Sequence, residues 1–294
     1  MNAAATMRDS GERFRACARI ALAALAIAGT ACAPQEGTIP TVSVGGGNSP
    51  PMPPLPPADA HIDPSALEAA ALHAEREGAA ALLVVRNGHL VFERYWHGAT
   101  FATPIGTGAW QGVIDDLLAG ALAEDRRPLP AATTPDRASI SAAAGMPYEA
   151  YLSKRLWRPL GAYDATLAPA LHAAQGDWIR IGELLANDGA YLGEEIVRPG
   201  WAAQVLARHA VPGQRPTSGA LRDVYRLRGP DDADLWVIPP LRLVILRTGA
   251  AVSAARDGTD ARMFDAVLRG VTDRPGVQAV GEGMPDPAVL VPSH

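Results

Sequence analysis

Apolar and polar positions alternate along this chain with two different periods. Between residues 103 and 122 (TPIGTGAWQGVIDDLLAGAL) the apolar set is Trp110, Val113, Ile114, Leu117, Leu118, Ala121 and Leu122. That is the i, i+3, i+4, i+7 spacing of a helix with one buried stripe. Thr107 or Gly108 stands where a cap would start it. The helix follows a hairpin and precedes further helices, so it is a candidate centre of the fold. Upstream, Asp63 and Pro64 suit the N-cap and first position of a helix running to about Glu77, with Gly78 to end it. Residues 80–86 (AALLVVR) and 89–95 (HLVFERY) read as strands, and Asn87-Gly88 between them is a strong hairpin signal.

Residues 126–137 (RRPLPAATTPDR) show no period and read as a loop. Helices follow at 147–157, 176–187 and 199–208, the second ended by Asp188-Gly189. The period then shortens to that of strands at 223–227, 234–238 and 242–247, with Pro239-Pro240 turning between the last two. A final helix spans 260–269, with Met263, Phe264, Val267 and Leu268 on its apolar face. The order is helix, two strands, helices, three strands, helix. It predicts an α+β fold: a five-stranded, mostly antiparallel sheet flanked by helices, the first and last on one face and the helical section on the other. Without βαβ alternation a doubly wound sheet is excluded.

The ends of the chain have a different composition. Residues 1–33 carry Arg8, Arg13, Arg15 and Arg19 ahead of a short apolar run at 20–29, then small residues leading to Cys32. The run has the size of a signal-peptide core and is too short to span a bilayer. The expected location is therefore the bacterial periplasm, by simple cleavage or as a lipoprotein anchored through Cys32. Residues 34–62 are rich in Pro, Gly, Ser and Thr and read as an extended tether. The folded domain is expected over 63–272, and the Pro/Gly-rich stretch 273–294 reads as a disordered tail.

At 48% hydrophobic and 19% charged, the chain can build a sizeable core, and a net charge of −5 gives no reason to expect nucleic acid. Both cysteines, Cys17 and Cys32, lie near the N-terminus, so the folded body has no disulfide and no cysteine metal site. Of the 26 basic residues only Lys154 is a lysine. Chemistry that needs a lysine has that one candidate.

Four segments carry a resemblance to the serine β-lactamase and penicillin-binding-protein superfamily, in its class C-like branch of esterases, D-aminopeptidases and aminohexanoate-oligomer hydrolases. They are LLVVRNGHLVFERYWHGA (82–99), YLSKRLWRPLGAYDAT (151–166), GDWIRIGELLANDGAYLGEEIVRPGW (176–201) and LWVIPPLRLVILRTG (235–249). The third is the most specific, because many fixed spacings agree at once. The resemblance implies a β-lactamase/transpeptidase-like fold. It also implies a serine that is acylated at the start of a buried helix. A lysine one turn later on the same helix face would take the serine's proton. Tyr-x-Asn would relay that proton, and Lys-Thr-Gly or His-x-Gly on a strand would line the groove.

None of these motifs is in the sequence. Anchored on Leu117-Leu118, Ser-x-x-Lys falls on Ala109-Trp110-Gln111-Gly112, which supplies neither nucleophile nor base. Tyr151 stands three residues before the sole lysine, so no Ser-x-x-Lys exists in any register. The helical section that would hold Tyr-x-Asn is shortened to a stub at 138–152, and residues 228–233 (RGPDDA) stand where the third motif would be. Shortening is expected to strip cover from the helix at 110–122.

Other chemistries find little support in the remaining residues. Gly106-Thr107-Gly108 lacks the full phosphate-loop spacing and reads as a turn. The seven histidines are scattered, so no metal or other cofactor is expected. Asp115-Asp116 read as a solvated helix face, Asp231-Asp232 as a turn, and Trp157, Trp178 and Trp201 as core. Trp110 lies where a groove would open and is a candidate ligand contact; Ser139, Ser141 and Ser153 have no motif to activate them. The expectation is an exported serine-hydrolase-like protein without acyl-serine chemistry. Its partner would be a cell-envelope peptide or protein, and a lipid anchor its only contact with membrane. The alternative is an active esterase, amidase or β-lactamase-type hydrolase with a displaced nucleophile.

Overall fold

A computed structural model describes residues 41–211, 223–249 and 256–273, all within one unit, Ile39–His294. The expected targeting segment with Cys32, the first part of the tether and the tail from residue 274 lie outside the described residues. In chain order the first elements are β1 (Val42–Val44), α1 (Pro64–Arg76), β2 (Ala81–Arg86), β3 (His89–Tyr95), β4 (Pro104–Gly106) and α2 (Trp110–Glu124). Then come α3 (Arg137–Ala144), α4 (Tyr148–Leu152) with a π-helical turn (Ser153–Trp157), β5 (Ala165–Leu167), β6 (Leu171–Ala174) and α5 (Gln175–Ala186). The last are β7 (Ala190–Tyr191), β8 (Glu194–Glu195), α6 (Trp201–His209), β9 (Tyr225–Arg228), β10 (Asp234–Ile238), β11 (Leu243–Thr248) and α7 (Arg256–Gly270).

The main sheet has the order β3-β2-β11-β10-β9, antiparallel throughout. Its central strands are buried on both faces, which is why they read as continuous apolar runs. Side chains still alternate by face. Leu82, Val84, Trp236, Ile238, Leu243 and Ile245 meet α1 and α7, while Leu83, Val85, Leu235, Val237, Val244 and Leu246 join the larger core on the other side. The α1 start is capped by Asp63, whose carboxylate accepts from Ser65 N at 2.8 Å. Asn87 and Gly88 both have positive φ, 51° and 78°, as a two-residue type I′ hairpin requires. The α+β sheet sandwich expected from the pattern is thus the fold that forms.

Three features depart from the sequence reading. The helix seated on the second sheet face is α5, against β10 and β11, while α2 packs on α6 and α3. Nor is α2 stripped of cover: Val113–Leu122 are buried, because α3, α6 and the loop after α2 close over it. The tether reading also fails from residue 41 onward. β1 pairs with β5 in a second sheet of order β1-β5-β6-β4, and Leu55 N donates to Leu90 O (3.0 Å) at the outer edge of β3. Prolines flank that contact and offer few further donors, which suits a chain that blunts an exposed sheet edge. This stretch also binds the fully buried Arg180 of α5, whose Nη2 donates to Ser49 O (3.0 Å) and Pro50 O (2.8 Å), while its Nη1 donates to Gly161 O.

Candidate functional site

At the start of α2 the chain leaves β4 through Thr107 and Gly108. Ala109 holds the N-cap position, exposed and with no side-chain bond into the helix; neither Thr107 nor Gly108 is the cap. A methyl group on Gly108 would stand 3.0 Å from Pro230 of the β9–β10 turn, so helix start and turn are already in contact. Trp110 follows and points inward, 2% exposed. Its ring lies 5.0 Å from that of Trp178 on α5, and its Nε1 donates to Leu227 O at 3.1 Å. The candidate ligand contact Trp110 is therefore corrected to a buried position, where the indole pins α2, α5 and β9 together.

Asp115 and Asp116 are also corrected. They are 6% and 3% exposed, not solvated, and each is held by its own partners. Asp115 Oδ1 accepts from Tyr148 Oη (2.6 Å) and Gln111 Nε2 (2.9 Å), and Gln111 Oε1 accepts from Arg137 Nη2 (3.2 Å). Burial pushes the Asp115 carboxyl upward, against those hydrogen bonds. Burial, and then the nearby Asp115, push the Tyr148 phenol far up as well. This network ties α2 to the short helices α3 and α4, so it explains how the shortened section is anchored.

Asp116 faces the other way, toward α6. Its Oδ2 accepts from His209 Nε2 at 2.6 Å and its Oδ1 pairs with Arg208 Nη1 at 2.6 Å. Burial alone would raise this carboxyl, but the bonds from His209 and Arg208 prevail and hold it below the usual range. Gly112, Asp116 and Gly120 form one stripe at i, i+4 and i+8, and two α6 side chains lie across its glycines. A Cβ on Gly112 would meet His209 Cε1 at 2.7 Å, and one on Gly120 would meet Trp201 Nε1 at 2.5 Å. Trp201 Nε1 donates to Asp116 O at 2.8 Å. Trp201 is only half-buried, so it is not the core tryptophan expected, unlike Trp157 and Trp178.

Beside this contact lies a groove of about 640 Å³ between α2, α6 and the loop at 128–135. Sequence reasoning did not find His209 or Arg208. The available signals were the eight-residue spacing of Trp201 and His209 on one helix and the matching eight-residue spacing of Gly112 and Gly120 on another. The remaining candidates are structural or remote. Ser139 completes a capping box with Asp136, Ser153 Oγ donates to Gly45 O (2.6 Å), and Lys154 is exposed on the π-helical turn. Among the described residues no three His, Cys, Asp or Glu side chains converge as a metal site, and no helix is long and apolar enough to cross a membrane.

No protein-family model matches the chain, and no curated protein matches it by sequence. Solved structures do match in three dimensions. A candidate 6-aminohexanoate-dimer hydrolase from Bacillus anthracis is 15% identical with a TM-score of 0.59, over 77% of this chain and 90% of that one. A candidate β-lactamase from Bacteroides dorei is 13% identical, TM-score 0.54, over 72% and 99%. A β-lactamase from Mycobacterium bovis is 14% identical, TM-score 0.50, over 70% and 98%. An antiparallel sheet flanked by helices is common ground, and the chain has a β-lactamase-like fold.

Proposed function

We propose that this is an exported protein of β-lactamase-like fold that binds in the cell envelope and does not form an acyl-serine enzyme. One observation carries the reading. Three residues after Ala109, where a lysine would share the helix face with a serine, Gly112 lies under the His209 ring at 2.7 Å from where a Cβ would be. A side chain there has no room while His209 holds Asp116. Position 109 supplies no hydroxyl, and the sole lysine, Lys154, is on another element. Loss of a nucleophile or its base from such a catalytic unit costs on the order of 10⁶ in turnover.

The test is exposure of the full chain to a reporter penicillin and to a nitrophenyl ester, with mass spectrometry and heat-unfolded protein as control. No stoichiometric adduct is expected, and none from Ala109→Ser with Gly112→Lys. A folding-dependent adduct on one serine of the natural chain would overturn the reading in favour of a displaced nucleophile. Export rests on the arginine-rich start and short apolar run of residues 1–33. The mature protein should begin after residue 28 or 31, and Cys32→Ser should release it from membranes if it is a lipoprotein. An intact N-terminus on cytosolic protein would refute export.

A further inference from the structure

We propose that the groove between α2, α6 and the 128–135 loop binds a small molecule built of an apolar ring or chain ending in a single carboxylate. Its volume of about 640 Å³ is that of a small-ligand site. Ala119 and Ala123 of α2 form part of an apolar lining, with Leu129 and Pro130 from the loop and Trp201 from α6. The surfaces are preformed. Trp201 is fixed by its bond to Asp116 O and its seat on Gly120, and prolines restrict the loop backbone.

The charges select the other end of the ligand. Arg198, Arg208 and His209 line the groove with one carboxylate, Asp116. Both oxygens of Asp116 are already engaged, by Arg208 and His209 at 2.6 Å each. Arg208 is half-exposed, so its guanidinium keeps edges for a second acceptor. The Arg198 guanidinium lies 4.8 Å over the Trp201 ring, which orients it at the groove while leaving its N–H edges free to pair. The neighbouring Glu124 is occupied, by Arg155 Nη2 (2.9 Å) and the backbone N–H of Arg198 (2.6 Å). The two guanidiniums of Arg198 and Arg208 against the one carboxylate of Asp116 leave about one net positive charge. That balance favours a mono-anion, leaves a dianion such as a phosphate monoester half uncompensated, and repels a cation. A planar carboxylate also matches the guanidinium fork.

The probe is N-dansyl-phenylalanine, titrated by fluorescence into the full chain beside its neutral carboxamide. The acid should bind saturably and the amide about tenfold more weakly or worse, the loss of a charge-assisted hydrogen bond. Arg198→Glu, at an exposed position, should abolish the preference for the acid, and Ala123→Trp should fill the groove and abolish binding of both. Melting curves establish that each variant is folded, and if Ala123→Trp is not, Arg198→Glu alone decides. Equal binding of acid and amide, an acid preference that survives Arg198→Glu in folded protein, or no saturable binding at millimolar probe would each overturn the proposal. None of these results bears on acylation at the α2 start, which the penicillin experiment tests separately.

Discussion

Replacing Gly112 by alanine sets two effects of opposite sign against each other. Inside a helix the change removes glycine's backbone freedom and should stabilise by about 0.5–1 kcal/mol. Here the new methyl would stand 2.7 Å from His209 Cε1, closer than such atoms pack, and a tight 3.3 Å from its Nδ1. The imidazole must swing away and lose its 2.6 Å bond to Asp116, leaving that buried carboxylate with Arg208. A hydrogen bond to a charged group contributes about 1.5–3 kcal/mol. The His209 side chain is 22% exposed and the Asp116 side chain only 4%, so solvent screening discounts this little. The net expectation is destabilisation by about 1–2 kcal/mol, or a melting temperature lower by about 2–8 °C for a domain of this size. The assay is urea denaturation of wild type, Gly112→Ala, His209→Ala and the double variant. In the His209→Ala background the clash is gone, so Gly112→Ala should stabilise. If Gly112→Ala stabilises the wild-type background too, His209 does not occupy the space above Gly112, and the argument that a lysine is excluded there fails.

Three further outcomes follow from the same geometry. Trp110→Ala should cost about 3–5 kcal/mol in urea denaturation, because it empties the junction of α2, α5 and β9; a cost below about 1 kcal/mol would favour the groove contact expected from the sequence. A chain beginning at residue 51 should melt well below one beginning at residue 41, because Arg180 loses two of its carbonyl partners, Ser49 O and Pro50 O; equal melting would mean the stretch is a tether after all. Burial pushes the Asp177 carboxyl up to about 6, against the Tyr163 N–H and Arg180, which favour the charged form. The folded state therefore holds this proton more tightly than the unfolded chain, and the stability it contributes is lost as pH rises from about 4 through about 6. Asp177→Asn should gain on wild type by on the order of 2–3 kcal/mol between about pH 4 and pH 7.5; a pH-independent difference would refute the assignment.

What the sequence determined by itself was local. Asp63-Pro64 starts a helix and Asn87-Gly88 turns a hairpin because a few adjacent residues supply the cap oxygen, the fixed φ and the two positive φ values. The runs at 81–86, 234–238 and 243–248 are strands because they are short, apolar and bounded by turn residues, and their order around one helical section pointed to a five-stranded, mostly antiparallel sheet, though not to its strand order. The absence of Ser-x-x-Lys is likewise a fact of spacing that no folding can alter. The tertiary structure alone decided which helix sits on the sheet, that residues 41–55 belong to the fold, and where each aspartate of Asp115-Asp116 points. A short pair such as β1 with β5 has too few residues to show a period, and its partner lies over a hundred residues away in the chain. Asp116 meets His209 across 93 positions only because α2 and α6 approach closely at two glycines. Burial of a charge depends on what covers it, and cover is supplied by segments whose distance in space is not written in their neighbours in sequence.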